Sequence, residues 1–180
     1  MELFMVIFVV ILLIVGFIFS QYNKLIKLKK KVEQAASNID VYCQQRFDLI
    51  PNLVETVKGY MTHEKEVLEE VTRLRSEYDN SKDMKLGLEL SSKIDKIIAV
   101  AEGYPELKAS ENFLNLQNNL EKMESQLQAA RRIYNVEVTN YNTKISTVPD
   151  NIIANMFKFE EEPLFEVADE KVKENVKVEF

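Results

Sequence analysis

The first stretch of the chain, residues 3–19, contains seventeen residues without a charged or polar side chain, interrupted only by Gly16. At about 1.5 Å per helical residue this stretch is roughly 25 Å long, which is near the lower limit for a hydrocarbon core of about 30 Å. Backbone groups in lipid must hydrogen-bond to one another, as they do in a helix. The pattern therefore predicts a transmembrane helix and a membrane anchor over residues 1–21.

Two other interpretations of this stretch fit less well. A cleaved signal peptide needs a positively charged start and a cleavage site of small residues. Glu2 is the only side-chain charge before the stretch, and no Ala-x-Ala-like site follows it. A buried core helix also fits less well, because seventeen uncharged residues at a terminus are too uniformly apolar for one.

From residue 32 to residue 146 the apolar residues recur every three or four positions, a spacing typical of helices and not of strands. Pro51 cannot donate to the Phe47 carbonyl, which predicts a kink or a break near residues 47–51. Gly59 marks a second possible break. We interpret the chain as all-α, with an antiparallel long-helix bundle of the four-helix type over residues 22–148.

The last predicted helix, residues 111–146, has the most regular pattern, an apolar seam close to a heptad repeat. It would be roughly 54 Å long, much longer than partners such as residues 84–102, so we expect part of the seam to lack cover within one chain. Residues 149–180 are interpreted as a C-terminal segment and a poorly ordered acidic tail. The seam residues are Phe113, Leu116, Leu120, Met123, Leu127, Ala130, Tyr134, Val138, Tyr141 and Ile145. The candidates for docking on the bundle or on a neighbour are Phe157, Phe159, Leu164 and Phe165.

Charge gives the chain a direction. Its net charge is −6, yet residues 32–180 carry −10, because five lysines follow the apolar stretch. The acidic domain argues against nucleic acid as a partner, since that partner needs a basic face. By the positive-inside rule the lysines predict a single-pass protein of the cell membrane, with the N-terminus outside and the C-terminal domain cytoplasmic. The predicted membrane-interface residues, which either contact anionic lipid or only set this topology, are Tyr22, Lys24, Lys27, Lys29, Lys30 and Lys31.

The supply of reactive residues argues against an enzyme. His63 is the only histidine and Cys43 the only cysteine, so a multi-histidine metal site is not available within one chain. Four scattered glycines cannot form a phosphate-binding loop or a dinucleotide fold. We therefore predict no catalytic residue, no metal, no cofactor and no small-molecule substrate. Cys43 is better interpreted as a small buried residue than as a reactive thiol.

Polar residues near Pro51 and along the last helix are the candidates for interaction. Arg46, Asp48 and Asn52 either hold a kink, with Arg46 or Asn52 binding the carbonyl freed by the proline, or form a protein-contact patch. Tyr134 and Tyr141, each followed by an asparagine, lie seven residues apart on one helix face. A tyrosine at such a position suits a core edge or an interface. The neighbouring candidates, which could pair with acidic residues of another helix, are Arg131 and Arg132.

Several motifs occur together over nearly the whole chain. They are an apolar N-terminal helix, Tyr22-Asn23-x-Leu25, residues 36–41 (Ala-Ser-Asn-Ile-Asp-Val), 46–54 (Arg-Phe-Asp-Leu-Ile-Pro-Asn-Leu-Val), 57–64 (Val-Lys-Gly-Tyr-x-x-His-Glu), 102–109 (Glu-Gly-Tyr-Pro-x-Leu-Lys-Ala), 112–117 (Asn-Phe-x-x-Leu-Gln) and 130–135 (Ala-Arg-Arg-x-Tyr-Asn). With these motifs the chain resembles the LemA family. It departs from the family pattern at Gln45, where an arginine is usual.

The resemblance implies a single-pass membrane protein with a small outer N-terminus, a cytoplasmic antiparallel helical bundle and no catalytic activity. Relatives are associated with membrane organisation, including organelle membranes in some bacteria. Our leading hypothesis is a non-enzymatic, membrane-anchored scaffold, a homo-oligomer that organises or shapes membrane lipid. The alternative is a monomeric adaptor that recruits an unknown protein partner through the acidic bundle or tail.

Overall fold

The computed structural model describes residues 1–61 and 64–165, and these residues form helices and no strand. The all-α prediction is confirmed. The prediction of a poorly ordered acidic tail over residues 158–180 is wrong for its first part, because residues 160–165 are described and their backbone is hydrogen-bonded to α6. The tail beyond residue 165 and His63 lie outside the described residues. The helices are α1 (Glu2–Phe47), α2 (Ile50–Val57), α3 (Lys65–Ser81), α4 (Met84–Ala101), α5 (Pro105–Lys108), α6 (Glu111–Ser146) and α7 (Asp150–Met156).

Helix α1 begins as the apolar stretch and continues without a break into folded protein. Apart from half-buried Ile18, residues 3–19 are exposed, and among the described residues α1 is the helix long and apolar enough to cross a membrane. Farther along, α1 buries Leu25, Val32 and Ala35. The exposed stretch fits a membrane anchor.

The break predicted near Pro51 is confirmed. Helix α1 ends at Phe47, and Pro51 occupies the first turn of α2, where its missing N–H would have no helical partner in any case. A second turn follows α2, with Tyr60 and Met61 both donating to the Val57 carbonyl. The chain therefore turns on both sides of this eight-residue helix.

The described chain divides into two compact units, the first from residues 1–37 and 130–165, the second from the described residues of 38–129. In the first unit the start of α1 and the end of α6 accompany α7 and the segment that follows it. In the second, the end of α1 accompanies α2 to α5 and the start of α6. These units are defined by contacts within the described chain and do not test the predicted boundaries after residues 21 and 148, which stay predictions.

The second unit packs around an aromatic contact. The rings of Phe47 and Tyr78 meet edge to face, with centroids 4.8 Å apart. Gly87 of α4 faces this pair, and a Cβ atom added there would lie 3.1 Å from the Tyr78 ring. Glycine thus lets α4 approach α3 closely. Cys43 is buried in the same unit, as predicted.

The seam of α6 corrects one expectation. Nine of its ten predicted residues are buried and Met123 is half-buried. The idea that part of the seam lacks cover within one chain is therefore wrong. The reason is that the cover does not depend on one helix of equal length: the start of α6 groups with α2 to α5 and the end of α1, while its end groups with the start of α1 and the chain after α7.

Candidate functional site

The predicted membrane-interface residues fall into two groups. Lys24, Lys27 and Lys31 are exposed, and their lipid-facing role stays a prediction. Tyr22 instead packs against Phe157, with ring centroids 4.7 Å apart. The other two lysines lie near carboxylates: Lys29 Nζ is 3.5 Å from Glu162, and Lys30 Nζ is 2.6 Å from Glu33.

A backbone-binding site on α6 holds the segment of residues 160–165. The side-chain amide of Asn142 donates to the Glu162 carbonyl at 2.8 Å and accepts from the Glu162 N–H at 3.0 Å. Asn135 does the same with Phe165, at 3.0 and 2.7 Å. Each asparagine thus satisfies both backbone groups of one residue. We call residues 160–165 the strap.

The two tyrosines complete this arrangement. The Tyr134 hydroxyl donates to the Pro163 carbonyl at 2.9 Å, and the Tyr141 hydroxyl to the Glu160 carbonyl at 3.0 Å. Pro163 has no N–H, so it suits a position where only an acceptor is needed. Tyr134 and Tyr141, which were predicted to lie at a core edge or an interface, therefore bind the chain's own C-terminal segment.

The register of the strap follows from chain geometry. Seven residues of an α-helix rise about 10.5 Å, and three residues of extended chain span about 10 Å. Tyr-Asn pairs seven residues apart on α6 can therefore hold strap residues three apart, as Glu162 and Phe165 are. The sequence showed the repeat, but the length match becomes visible only once the strap lies along the helix.

The surroundings of the strap are apolar and acidic. Burial, and then the negative charge of Glu162, raise the pKa of Tyr134. The pKa of Tyr141 is raised by burial and by Glu162 and Glu160. Both hydroxyls thus stay protonated donors well above neutral pH. Phe165 is buried, with the Arg131 guanidinium 4.9 Å from its ring centroid, a cation–π contact, whereas Arg132 is exposed.

Arg46 does not play the role predicted for it. The side chain is only 1% exposed, with Nη2 2.6 Å from Asp95 Oδ1 and Nη1 2.6 Å from Glu124 Oε2. The expectation that Arg46 or Asn52 binds the freed Phe47 carbonyl is wrong. The reason is direction: Arg46 points into the second unit, where two carboxylates compensate its charge.

Arg75 of α3 is the residue that sequence reasoning missed. Its Nε donates to the Phe47 carbonyl at 3.0 Å, and its Nη2 lies 3.3 Å from Asp48 Oδ1. Asp48 also accepts from Gln44 at 3.0 Å. The sequence did hold a signal for this residue. Arg75 follows the buried Val71 by four residues, about one helical turn, and so lies at the edge of the apolar face of α3.

Asn52 lies on an open cleft of the second unit. Three asparagines of α6 line the same cleft, together with Glu55 and Leu116, and all four amides are exposed. The cleft therefore offers many hydrogen-bond donors and acceptors, with Glu55 as its charged lining residue. The α6 asparagines are Asn112, Asn115 and Asn119.

Among residues 1–61 and 64–165, no group of three or more histidine, cysteine, aspartate or glutamate side chains is placed to hold a metal ion. The largest pKa shift, a raised value for Tyr78, comes first from burial and then from Cys43 and Asp40. It therefore belongs to the aromatic core and not to a cleft with paired acid and base groups.

Comparison with known proteins assigns the family. The LemA family model matches residues 35–180, so the chain belongs to the LemA family, which is not a known enzyme family. Protein LemA of Metamycoplasma hominis is 31% identical over 137 residues, covering 73% of this chain and 63% of the relative. Magnetosome proteins MamQ 1 and MamQ 2 of Paramagnetospirillum magneticum are each 21% identical over 176 residues, covering 81% of this chain and 65% of the relative. The chain thus spans just under two thirds of the length of these relatives.

Proposed function

We propose that this protein is a non-enzymatic, membrane-anchored helical scaffold that self-associates to organise or shape a lipid surface. One observation carries the proposal: α1 exposes its apolar stretch on all sides and then buries Leu25, Val32 and Ala35 in a folded unit. An uninterrupted apolar surface of this extent needs lipid or protein around it. One continuous helix thus joins the anchor to folded protein.

The non-enzymatic part rests on where the polar groups lie. Arg46 is engaged by two carboxylates, and the buried tyrosine hydroxyls are engaged by strap carbonyls. A catalytic acid or base needs to reach a substrate, which these groups cannot do while they hold helices and strap together. Two relatives bear the name magnetosome protein, which associates them with a cell structure and not with a reaction.

Self-association must use surfaces other than the covered seam of α6. The apolar stretch of α1 is one such surface, since helices in lipid associate through packing of their side chains. Ile133 and Val136, three residues apart on the outer face of α6, are also exposed. Either contact leaves the fold of the single chain unchanged.

Light scattering coupled to size-exclusion chromatography tests the scaffold. The full chain in detergent micelles, at micromolar concentration, is expected to show a protein mass of several copies. A variant with Ile133→Asp and Val136→Asp separates the two contacts, because it removes the outer α6 surface and leaves the anchor intact. A monomer mass for the unmodified chain across a range of detergents would contradict self-association.

The orientation has its own measurement. A Glu2→Cys variant with Cys43→Ala places one thiol before the apolar stretch, and the expected topology makes this thiol reactive with an impermeant maleimide in intact cells. A matched variant with the thiol at Lys31 should react only after the cells are opened. The reverse labelling pattern would overturn the predicted sidedness.

A second candidate is a membrane-tethered adaptor that recruits a protein partner through the acidic bundle or tail. Two observations favour it. The seam of α6 is covered within one chain, so the fold does not need a second copy, and an asparagine-lined cleft lies beside Asn52. Deleting residues 166–180 discriminates, because it leaves Phe165 and the strap contacts in place. Lost partner recruitment with unchanged assembly favours the adaptor, whereas unchanged recruitment with lost assembly favours the scaffold.

A further inference from the structure

The surface of α7 and its flanks is unusual for this chain. Charged residues make up 29% of the sequence, yet residues 146–157 contain one, Asp150. Asp150 is buried, with Oδ2 2.6 Å from Lys144 Nζ. The outward face of this twelve-residue segment therefore carries no charge.

Large apolar side chains are exposed on that outward face, beside the uncharged polar residues Ser146, Thr147 and Asn155. Val148, Ile152 and Met156 follow one another at intervals of four residues and are exposed, as is Phe157. The opposite face of α7 is buried through Ile153 and Ala154. The exposed set, which we call the α7 stripe, would stay in contact with water unless a further surface covers it.

The α7 stripe lies next to the end of the anchor. Phe157 contacts Tyr22, at 4.7 Å between ring centroids, and the Phe159 ring lies 5.8 Å from the same tyrosine. Tyr22 is three residues past Phe19, a rise of about 4.5 Å. The headgroup layer on each side of a bilayer is about 5–8 Å thick. A bilayer around the apolar stretch would therefore bring its headgroup layer to the level of Phe157.

Lys158 adds positive charge at this level. It ends α7 in a left-handed conformation, with φ 57°. The Phe159 N–H donates to the Ala154 carbonyl and the Lys158 N–H to the Asn155 carbonyl, the bonds of a Schellman cap. Glycine is favoured at this position, so a lysine is present despite the backbone preference. Together with Lys29 and Lys30 it lines a cleft beside Tyr22.

We propose that the α7 stripe and Lys158 form a second contact with the membrane. The stripe lies at the boundary of headgroups and acyl chains, and the Lys158 ammonium faces anionic headgroups. This inference rests on the proposed anchoring of α1 in lipid. A single helix does not fix its own tilt and rotation in a bilayer, so the second contact orients the first unit relative to the lipid surface.

Single-tryptophan variants test the stripe, since the chain has no tryptophan. Three isoleucines of the first unit are similarly exposed: Ile11 at 51%, Ile133 at 54% and Ile152 at 64%. Each is replaced by tryptophan in the full chain, reconstituted in phosphatidylcholine vesicles that contain phosphatidylglycerol. Brominated lipid should quench the fluorescence of Ile11→Trp and Ile152→Trp severalfold more than that of Ile133→Trp. Bromine near the headgroups should act best on Ile152→Trp, and bromine deep in the acyl chains on Ile11→Trp.

The outcomes separate the two proposals. The second contact is overturned if Ile152→Trp is quenched no more than Ile133→Trp. The anchor remains supported in that case as long as Ile11→Trp is strongly quenched. A blue-shifted but unquenched Ile152→Trp also overturns it, because a protein surface such as a second copy then covers the stripe. Weak quenching of Ile11→Trp would instead contradict the anchor.

A second pair of variants tests the headgroup contact. Lys158→Gly removes the charge and favours the left-handed backbone, so its thermal midpoint should not fall. Lys82→Gly is the matched control, because Lys82 is likewise left-handed, with φ 52°, but ends α3 in the second unit. Replacing phosphatidylcholine partly by phosphatidylglycerol should increase the quenching of Ile152→Trp, and Lys158→Gly, but not Lys82→Gly, should abolish the increase. An undiminished increase in Lys158→Gly would overturn the role of the lysine.

Discussion

The two halves of α6 hold their neighbours by different chemistry. In the second unit, residues 113–127 bury apolar side chains, and Glu124 faces the buried cation of Arg46. In the first unit, residues 130–145 present tyrosine hydroxyls and asparagine amides to the strap backbone. One helix therefore combines a charged contact in one unit with a neutral, backbone-directed contact in the other.

This difference has consequences for substitution and for pH. A buried charge is tolerated only while its partners remain, so losing one partner leaves an uncompensated ion. A hydrogen bond between neutral groups contributes about 1 kcal/mol and is lost singly. Because the asparagines bind backbone groups, strap side chains can vary while the contact persists. The second unit should respond sharply to one change and the first unit gradually.

The largest expected effect concerns Arg46. Arg46→Met should lower the free energy of unfolding by about 3 kcal/mol, because Glu124, 22% exposed, loses its cation, whereas Asp95, 60% exposed, stays hydrated. Chemical denaturation followed by circular dichroism of the detergent-solubilised chain measures the change. Adding Glu124→Gln to Arg46→Met should restore part of the loss.

Arg73→Met is the matched control for this substitution. Arg73 pairs with Glu77 within α3 at the surface, and such a pair contributes about 0.3–0.5 kcal/mol. Equal effects of Arg46→Met and Arg73→Met would show that the buried ion pairs are no more important than a surface pair. The contrast between the two halves of α6 would then disappear.

The next effect concerns the strap. Asn142→Ala removes both hydrogen bonds to Glu162, which at about 1 kcal/mol each should accelerate amide exchange at Glu162 by roughly tenfold or more. Asn135→Ala should act in the same way at Phe165. Hydrogen exchange followed by mass spectrometry measures both. Asn140 is an exposed asparagine of the same helix, so Asn140→Ala should leave amide exchange unchanged. Equal exchange rates in all three variants would show that Asn135 and Asn142 do not hold the strap.

A smaller effect is expected at Arg75. Arg75→Leu removes the hydrogen bond to the Phe47 carbonyl, which should lower the free energy of unfolding by about 1 kcal/mol. Arg75→Lys should show an intermediate loss, because a lysine reaches the carbonyl as a point charge without the fixed guanidinium geometry. A stability equal to that of the unmodified chain in Arg75→Leu would mean that water satisfies the freed carbonyl equally well.

The smallest expected effect is the pH dependence of stability that the strap tyrosines cause. The pKa values of Tyr134 and Tyr141 are raised in the folded chain, so their contribution is complete below the unfolded pKa of about 10. It is lost as pH rises through the folded values, because the unfolded chain then binds fewer protons. Thermal midpoints should therefore fall above pH about 10, whereas near neutrality these groups should give the midpoints no pH dependence. A double variant with Tyr134→Phe and Tyr141→Phe should fall less, and an identical fall would assign the effect elsewhere.

Much of the backbone could be predicted from the sequence. The apolar stretch, the break before Pro51 and the seam of α6 all follow from rules that act within a few residues: hydropathy, a missing N–H and helical periodicity. The candidate residues Tyr134 and Tyr141 were also found by spacing alone. Docking of Phe165 was predicted as well, but the pairing of each tyrosine with a strap carbonyl was not, because an extended segment such as the strap has no periodic signal of its own.

The sequence by itself determined an all-α chain with an exposed apolar helix, since these properties depend on local pattern. Only the tertiary structure decided which polar groups meet. Arg46 found two carboxylates, Arg75 took the Phe47 carbonyl, and the asparagines of α6 bound the strap. The physical reason is that hydrogen bonds and ion pairs depend on distance and direction between residues far apart in the chain, which periodicity along one helix does not specify.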